Sequence, residues 1–434
     1  MQRTKVERFI LEDLAAHGAP DALGGKDRAY VRDLALRVKE IGSRPEEASK
    51  IELWKLHNCL KTRRPIVIVF PEGAWDELLP QKTMRLEDPF WREWEWHLRS
   101  LIYRSEHLPD DFVFEPSLRV PVSYSIGDYG IAEVSIESTE VFGACRYVPQ
   151  IIVEKDADRL TAPTLTIFEE KTRRNLQKVG DALGDILPVT VNRNIFTMVA
   201  DFGIIGSFMR LRGMDQVLID LFDRPGWVHR ALDTMTEGAL RVYESAEAAG
   251  LTLNNGNDYV GSGGLGWTNE LPAPGHDESR VRLRDLWGFS EAQEFAGVSP
   301  AMLEEFVLPY QARLLERFGL NCYGCCESLN GSFSAVKKIP RLRRISVSPW
   351  TDPAQAAEAL EDKYIFSYKP NPAALAAPRL DKDYLKAGLR KVLEIARGCV
   401  VEIIMKDTHT VRGEPQRYSQ WIAIAREAVE EMTA

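Results

Sequence analysis

What this sequence lacks narrows its class first. It has no apolar run able to span a bilayer: the longest, such as Ile66 to Phe70, fall far short of the ~20 residues a membrane helix needs. No membrane association is expected. Met1 to Arg8 are charged and hold no apolar core of signal-peptide length, and the six cysteines form no regular disulfide framework. Those two absences point to a cytoplasmic protein with reduced thiols. Positive charge is in deficit, with 55 Lys and Arg against 64 Asp and Glu and a net charge of −9, so nucleic acid is not an expected partner. No strand is followed by a glycine-rich dinucleotide turn. Gly261 to Gly266 (GSGGLG) resembles one superficially, but it lies in a long loop, opens no helix, and reads instead as a mobile substrate loop.

What is present is a long chain with two textures. The 434 residues exceed one small domain and suit a barrel of roughly 250 residues plus an extension. Residues 1–164 read as an extension, helical and charged at first and then rich in alternating β-branched residues, which suggests antiparallel strands. Within it, Trp91 and Trp94 are spaced to share a helix face, as core or as the surface of a homodimer. Residues 165–434 alternate helix and short strand at the cadence of parallel pairing with right-handed crossovers. Strands are expected at 186–191, 251–254, 319–323, 342–347, 364–368 and 400–405, and one helix over 300–318. The fold class that follows is α/β: a (β/α)8 TIM barrel with an N-terminal α+β extension.

In such a barrel the chemistry lies at the C-terminal ends of the strands, and here those ends are polar. One carries Tyr323, Gly324, Cys325, Cys326 and Glu327; another carries Lys406, Asp407, Thr408 and His409. Trp350, Lys369, Asn257 and Asp258 follow other strands and are expected to contact substrate, together with Tyr323 and Lys406. His409, Asp407 and Glu327 are the expected catalytic groups. The residue types Cys325, Glu327 and His409 suit a zinc site with three protein ligands and one open position; the plainer alternative is a pair of turn thiols with a carboxylate capping the next helix. Asn257 and Asp258 suit the N–H and C=O edges of a heterocycle such as a pterin, with an Asx turn as the alternative.

At these residues the chain resembles the uroporphyrinogen decarboxylase superfamily, and within it the methyltransferase branch that serves corrinoid-dependent demethylation. The features that carry the resemblance are Tyr323 to Glu327 (YGCCE), Ile345 to Trp350, Lys369 to Pro372, Lys406 to Thr410 followed by Pro415, and Pro65 to Glu72 near the N-terminus. They span roughly residues 185 to 434 apart from the last. The resemblance implies methyl transfer between a small methylated donor, the cobalt of a corrinoid on a separate partner protein, and an acceptor such as tetrahydrofolate or a thiol. It also implies a zinc site in the thiol-methylating branch. There Cys325 carries over directly, Tyr323 stands where that branch has histidine, and Asp407 to His409 stand in its C-terminal cysteine region. Two alternatives remain: a decarboxylase of the uroporphyrinogen type, for which the paired N-terminal arginines have no counterpart here, and a non-catalytic ligand-binding barrel.

Overall fold

The computed structural model describes residues 23–62, 64–136, 145–195, 203–253, 256, 259–277 and 279–433. Eight parallel strands organise it: β1 (Ile66–Val69), β2 (Leu118–Pro121), β3 (Val189–Asn192), β4 (Trp287–Ser290), β5 (Leu320–Tyr323), β6 (Leu342–Val347), β7 (Ile365–Tyr368) and β8 (Val400–Met405). Six form one sheet in the order β1-β8-β7-β6-β5-β4, and β2 pairs with β3 as a separate parallel ladder. Among the described residues these ladders do not join into a ring, so the structure establishes an α/β architecture with a six-stranded parallel sheet. Two short antiparallel pairs, 124–126 with 165–167 and 134–136 with 146–148, supply the antiparallel strands expected of the extension. The remainder of that expectation is corrected, because β2 pairs in parallel with β3.

The first strand ties the two halves of the sequence together. Ile66 to Val69 align with Glu402 to Met405, so the sheet takes its edge strand from the stretch read as extension. A run of four buried β-branched residues suits this position, since a parallel strand is covered on both faces. Alternation along the sheet divides the core in two. Ile345, Val347, Phe366, Val401, Ile403 and Met405 face the larger apolar cluster under the helices. On the opposite face stand Arg344, Ser346, Ser367 and Glu402, the last three aligned across β6, β7 and β8.

Local chemistry sets the helix starts. Asp352 and Asp381 cap the helices 353–360 and 382–395 by accepting Ala354 N–H and Tyr384 N–H, each at 2.9 Å. Asp88 accepts Trp91 N–H at 3.0 Å at the head of helix 89–107, with Pro89 in the first turn. Trp91, Trp94 and Trp96 on that helix are buried within the chain, so these rings pack the core and do not furnish a dimer surface. The single helix expected over 300–318 is two, 300–306 and 308–315, because Pro309 removes a donor and unsettles the residue before it. Residues 251–253 form no strand, whereas β4 went unrecognised: its Trp-Gly-Phe-Ser carries no alternation, and Gly288 is there because Asn321 and Phe318 leave no room for a Cβ.

The glycine-rich segment is the largest correction. It is buried against the polar face of the sheet, with Tyr259, Val260, Ser262 and Leu265 all nearly inaccessible, and is not a mobile surface loop. A Cβ on Gly261 would fall 1.9 Å from the Phe289 ring, one on Gly263 2.2 Å from Arg344, and one on Gly264 2.4 Å from Trp54. The glycines let backbone thread where side chains already fill the space.

Candidate active site

A buried polar network lies on the inner face of the sheet beneath the strand ends. Glu402 pairs with Arg344 Nε at 2.9 Å, faces His57 Nε2 at 3.1 Å, and accepts Gly264 N–H at 3.2 Å and the Ser367 hydroxyl. Arg344 also donates to Asn58 Oδ1 at 2.7 Å. Burial pushes the Glu402 carboxyl up, but Arg344, His57 and Ser367 overcome it and hold the group far below the usual carboxylate range. His57 is lowered as well, by burial, so it favours the neutral ring. This network fixes the glycine segment and helix 45–58 against the sheet.

Above it, three strand ends converge. The turn after β5 carries Cys325 and Cys326, with Sγ atoms 3.5 Å apart. From the end of β8, Asp407 accepts from Cys326 Sγ at 3.6 Å, and its other oxygen lies 3.6 Å from Lys406 Nζ. Lys406 is buried, donates to Ser262 Oγ at 3.4 Å, and lies 3.8 Å from Glu72, which follows β1. Glu72 and Asp407 both have left-handed backbone, with φ of 48° and 57°. A non-glycine residue there carries strain of order 1–2 kcal/mol, of the kind concentrated at functional sites. The Cys325 thiol is lowered to about 6, chiefly by hydrogen bonding from Cys326 and further by the Lys406 ammonium, against the opposing effect of burial. Its neighbour Cys326 is raised, by its contact with Cys325, by burial and by the nearby Asp407 carboxylate.

The expected site residues divide accordingly. Cys325, Lys406 and Asp407 are brought together. Glu327 is diverted: its two oxygens accept Cys325 N–H at 2.8 Å and Ala292 N–H at 3.1 Å, so it braces the turn, and burial raises its carboxyl. These amides belong to the turn itself and to the segment after β4, not to the start of the next helix, 333–336, which the plainer alternative had Glu327 cap. His409 is exposed and packs against Gly73. Among the described residues no group of three His, Cys, Asp or Glu side chains is arranged to hold a metal ion. With Glu327 committed to backbone amides, Cys325, Glu327 and His409 are not a zinc ligand set. Tyr323 is corrected too: it is fully buried on the helix-facing side and donates to Gln311 Oε1 at 3.0 Å. Its parity was readable, since the residue after inward-facing Cys322 must face outward.

Lys369, at the end of β7, is buried and donates to Ser367 O and Oγ at 3.1 and 2.8 Å, which links it to the Glu402 network. Burial lowers its amine to about 8. Trp350 stands 67% exposed at the end of β6. Asn257 and Asp258 lie outside the described residues. Glu72 and Ser262 were missed. Applying strand-end logic to the first strand would have found Glu72, whereas Ser262 carried no signal while its segment was read as a surface loop.

No known protein-family model matches the chain, and no curated protein matches its sequence. Among solved structures it is similar to a methyltransferase from Methanosarcina mazei, at 11% identity and a TM-score of 0.47, over 88% of this chain and 98% of that one. A likeness of that degree leaves function to be argued from the site. The class defined here is an α/β protein with a thiol, lysine and carboxylate cluster at the ends of parallel strands. Among the described residues no helix is long and apolar enough to cross a membrane.

Proposed function

We propose that this protein is a methyltransferase of a corrinoid-dependent demethylation system. It would move a methyl group between a small methylated donor, or tetrahydrofolate, and a cobalt corrinoid held by a partner protein. We read the six-stranded sheet and the separate β2–β3 ladder as parts of one (β/α)8 barrel. The observation that supports the reading best is that two of the sequence features behind the family resemblance, Tyr323 to Glu327 and Lys406 to Thr410, meet in space: Cys326 contacts Asp407 at 3.6 Å.

Methyl transfer is an in-line displacement, so the protein's tasks are alignment and stabilisation of the leaving heteroatom. Lys406 suits the second task. Its ammonium is buried beside Glu72 and Asp407, where a low local dielectric strengthens its pull on developing negative charge. Asp407 is half-exposed and can pass a proton between the site and water. Cys325, lying largely as thiolate, balances the lysine and offers a soft donor facing the strand ends. The corrinoid supplies the cobalt that accepts or gives the methyl group. Asn257 and Asp258 remain the proposed contacts for a pterin. No step runs through zinc, because the ligand set does not assemble.

The test is methyl transfer by the purified chain to free cob(I)alamin from methyl ethers, methylamines and methyltetrahydrofolate, followed by loss of the cob(I)alamin absorption. Transfer from one donor class, reduced at least ~100-fold in Lys406→Met, is expected if the ammonium stabilises the transition state by about 3 kcal/mol. No transfer from any donor would overturn the reading. Carbon dioxide release from a porphyrinogen would favour the decarboxylase alternative instead.

A further inference from the structure

The two thiols of the site are placed for chemistry with each other. Cys325 Sγ and Cys326 Sγ are 3.5 Å apart, both residues are partly exposed, and Asp407 Oδ2 sits 3.6 Å from Cys326 Sγ. The turn does not depend on either sulfur. Glu327 accepts Cys325 N–H at 2.8 Å, Ser346 Oγ donates to Cys325 O at 2.8 Å, and Gly324 takes the left-handed φ of 88° that starts the turn. Of the remaining four cysteines, Cys322 and Cys399 are buried, Cys59 on another element is partly exposed, and Cys145 is exposed just before the strand 146–148. The geometry points to a reversible disulfide between Cys325 and Cys326, formed by reaction with a hydroperoxide, that switches this site off.

The chemistry balances without further reagents. The Cys325 thiol gives up its proton to water, its sulfur attacks the peroxide, an S–O bond forms as the O–O bond breaks, and the departing alkoxide or hydroxide takes up that proton. Sulfur is oxidised to a sulfenic acid and the peroxide is reduced. Cys326 then attacks that sulfur while its proton passes to Asp407. The S–S bond forms, the S–O bond breaks, and the leaving hydroxide takes the proton as water. The sum is two thiols and one hydroperoxide giving a disulfide, an alcohol and water.

Adjacency makes the bond labile. Neighbouring Cα atoms across a trans peptide are ~3.8 Å apart, below the ~4.4–6.8 Å that unstrained disulfides span. The ring is therefore strained and readily reduced, which is the property of regulatory disulfides. Closing it removes the thiolate facing Lys406 and the Cys326–Asp407 contact together. The proposed function enters only in naming the activity that is switched; the thiol chemistry stands apart from it.

The test exposes the full chain to a slight excess of hydrogen peroxide, denatures it in N-ethylmaleimide, and measures intact mass and the tryptic peptide Phe318 to Lys337. The expected result is loss of two adducts per chain and a Cys325–Cys326 disulfide in that peptide, both reversed by dithiothreitol. Cys326→Ser should stop at a sulfenic acid on Cys325 that dimedone traps, and Asp407→Asn should prolong that intermediate several-fold. An unchanged adduct count, or a disulfide through Cys59, Cys145, Cys322 or Cys399, overturns the inference. So does a disulfide that forms while methyl transfer to cobalamin continues at its full rate. If the untreated protein transfers no methyl group, the proposed function fails, while the mass measurement still decides the disulfide.

Discussion

Glu402→Leu probes the support beneath the site. The wild-type carboxylate is fully buried and serves Arg344, His57, Ser367 and Gly264 N–H at once. Leucine leaves the Arg344 guanidinium buried without its counter-charge and strands the Gly264 amide. Breaking a buried pair from one side costs about 3–5 kcal/mol, whereas removing both charges spares the uncompensated ion. Arg344→Met combined with Glu402→Leu should therefore lose no more than about 2 kcal/mol, mostly from the amide and hydroxyl left unpaired. Urea unfolding followed by tryptophan fluorescence measures both variants. The acid side supplies an independent check. The folded carboxyl sits below its unfolded value of about 4.3, so its contribution is complete above that pH and erodes as pH falls through and below it. The single variant should lack that acid limb. It should also slow methyl transfer, because Gly264 anchors the segment that presents Ser262 to Lys406. A single variant within about 1 kcal/mol of wild type, or a double variant as unstable as the single, would refute the reasoning.

Three further outcomes are expected. Iodoacetamide should alkylate Cys325 with a midpoint near pH 6, which corresponds to about 90% thiolate at pH 7 against about 3% for an ordinary thiol; Cys326→Ala and Lys406→Met should each move the midpoint upward, and an unperturbed midpoint in wild type would discount the coupling. Lys369→Met should stabilise the protein at pH 7 by about 1–3 kcal/mol while impairing activity, because a buried ammonium lowered to about 8 opposes folding until it deprotonates. Wild-type stability should accordingly rise from pH 8 towards about 10.4, a limb absent from the methionine variant, and a destabilised variant would contradict this. Gly261→Ala should cost about 2–4 kcal/mol through collision with Phe289 and a left-handed φ of 56°, whereas Gly275→Ala, with φ of 74° and open space around it, should cost only about 1–2 kcal/mol in chemical denaturation.

The sequence by itself determined the local grammar. Asp352 before Pro353, Gly398 after the helix 382–395, Ile345 and Val347 in 342–347, and the β-branched residues of 400–405 state their secondary structure through capping, chain reversal and burial, all effects of a few neighbouring residues. It also determined which reactive groups stand at strand ends. The tertiary structure alone decided which of those groups meet. Cys326 and Asp407 are 81 residues apart and Lys406 and Glu72 are 334 apart, so their contacts depend on the order and register of β1, β5 and β8. It decided, too, that Glu327 serves backbone amides, that Tyr323 faces the helices, and that the glycine segment runs inward against Arg344 and Phe289. Periodicity reports whether a residue is buried; what it is buried against is set by parts of the chain that no local window contains.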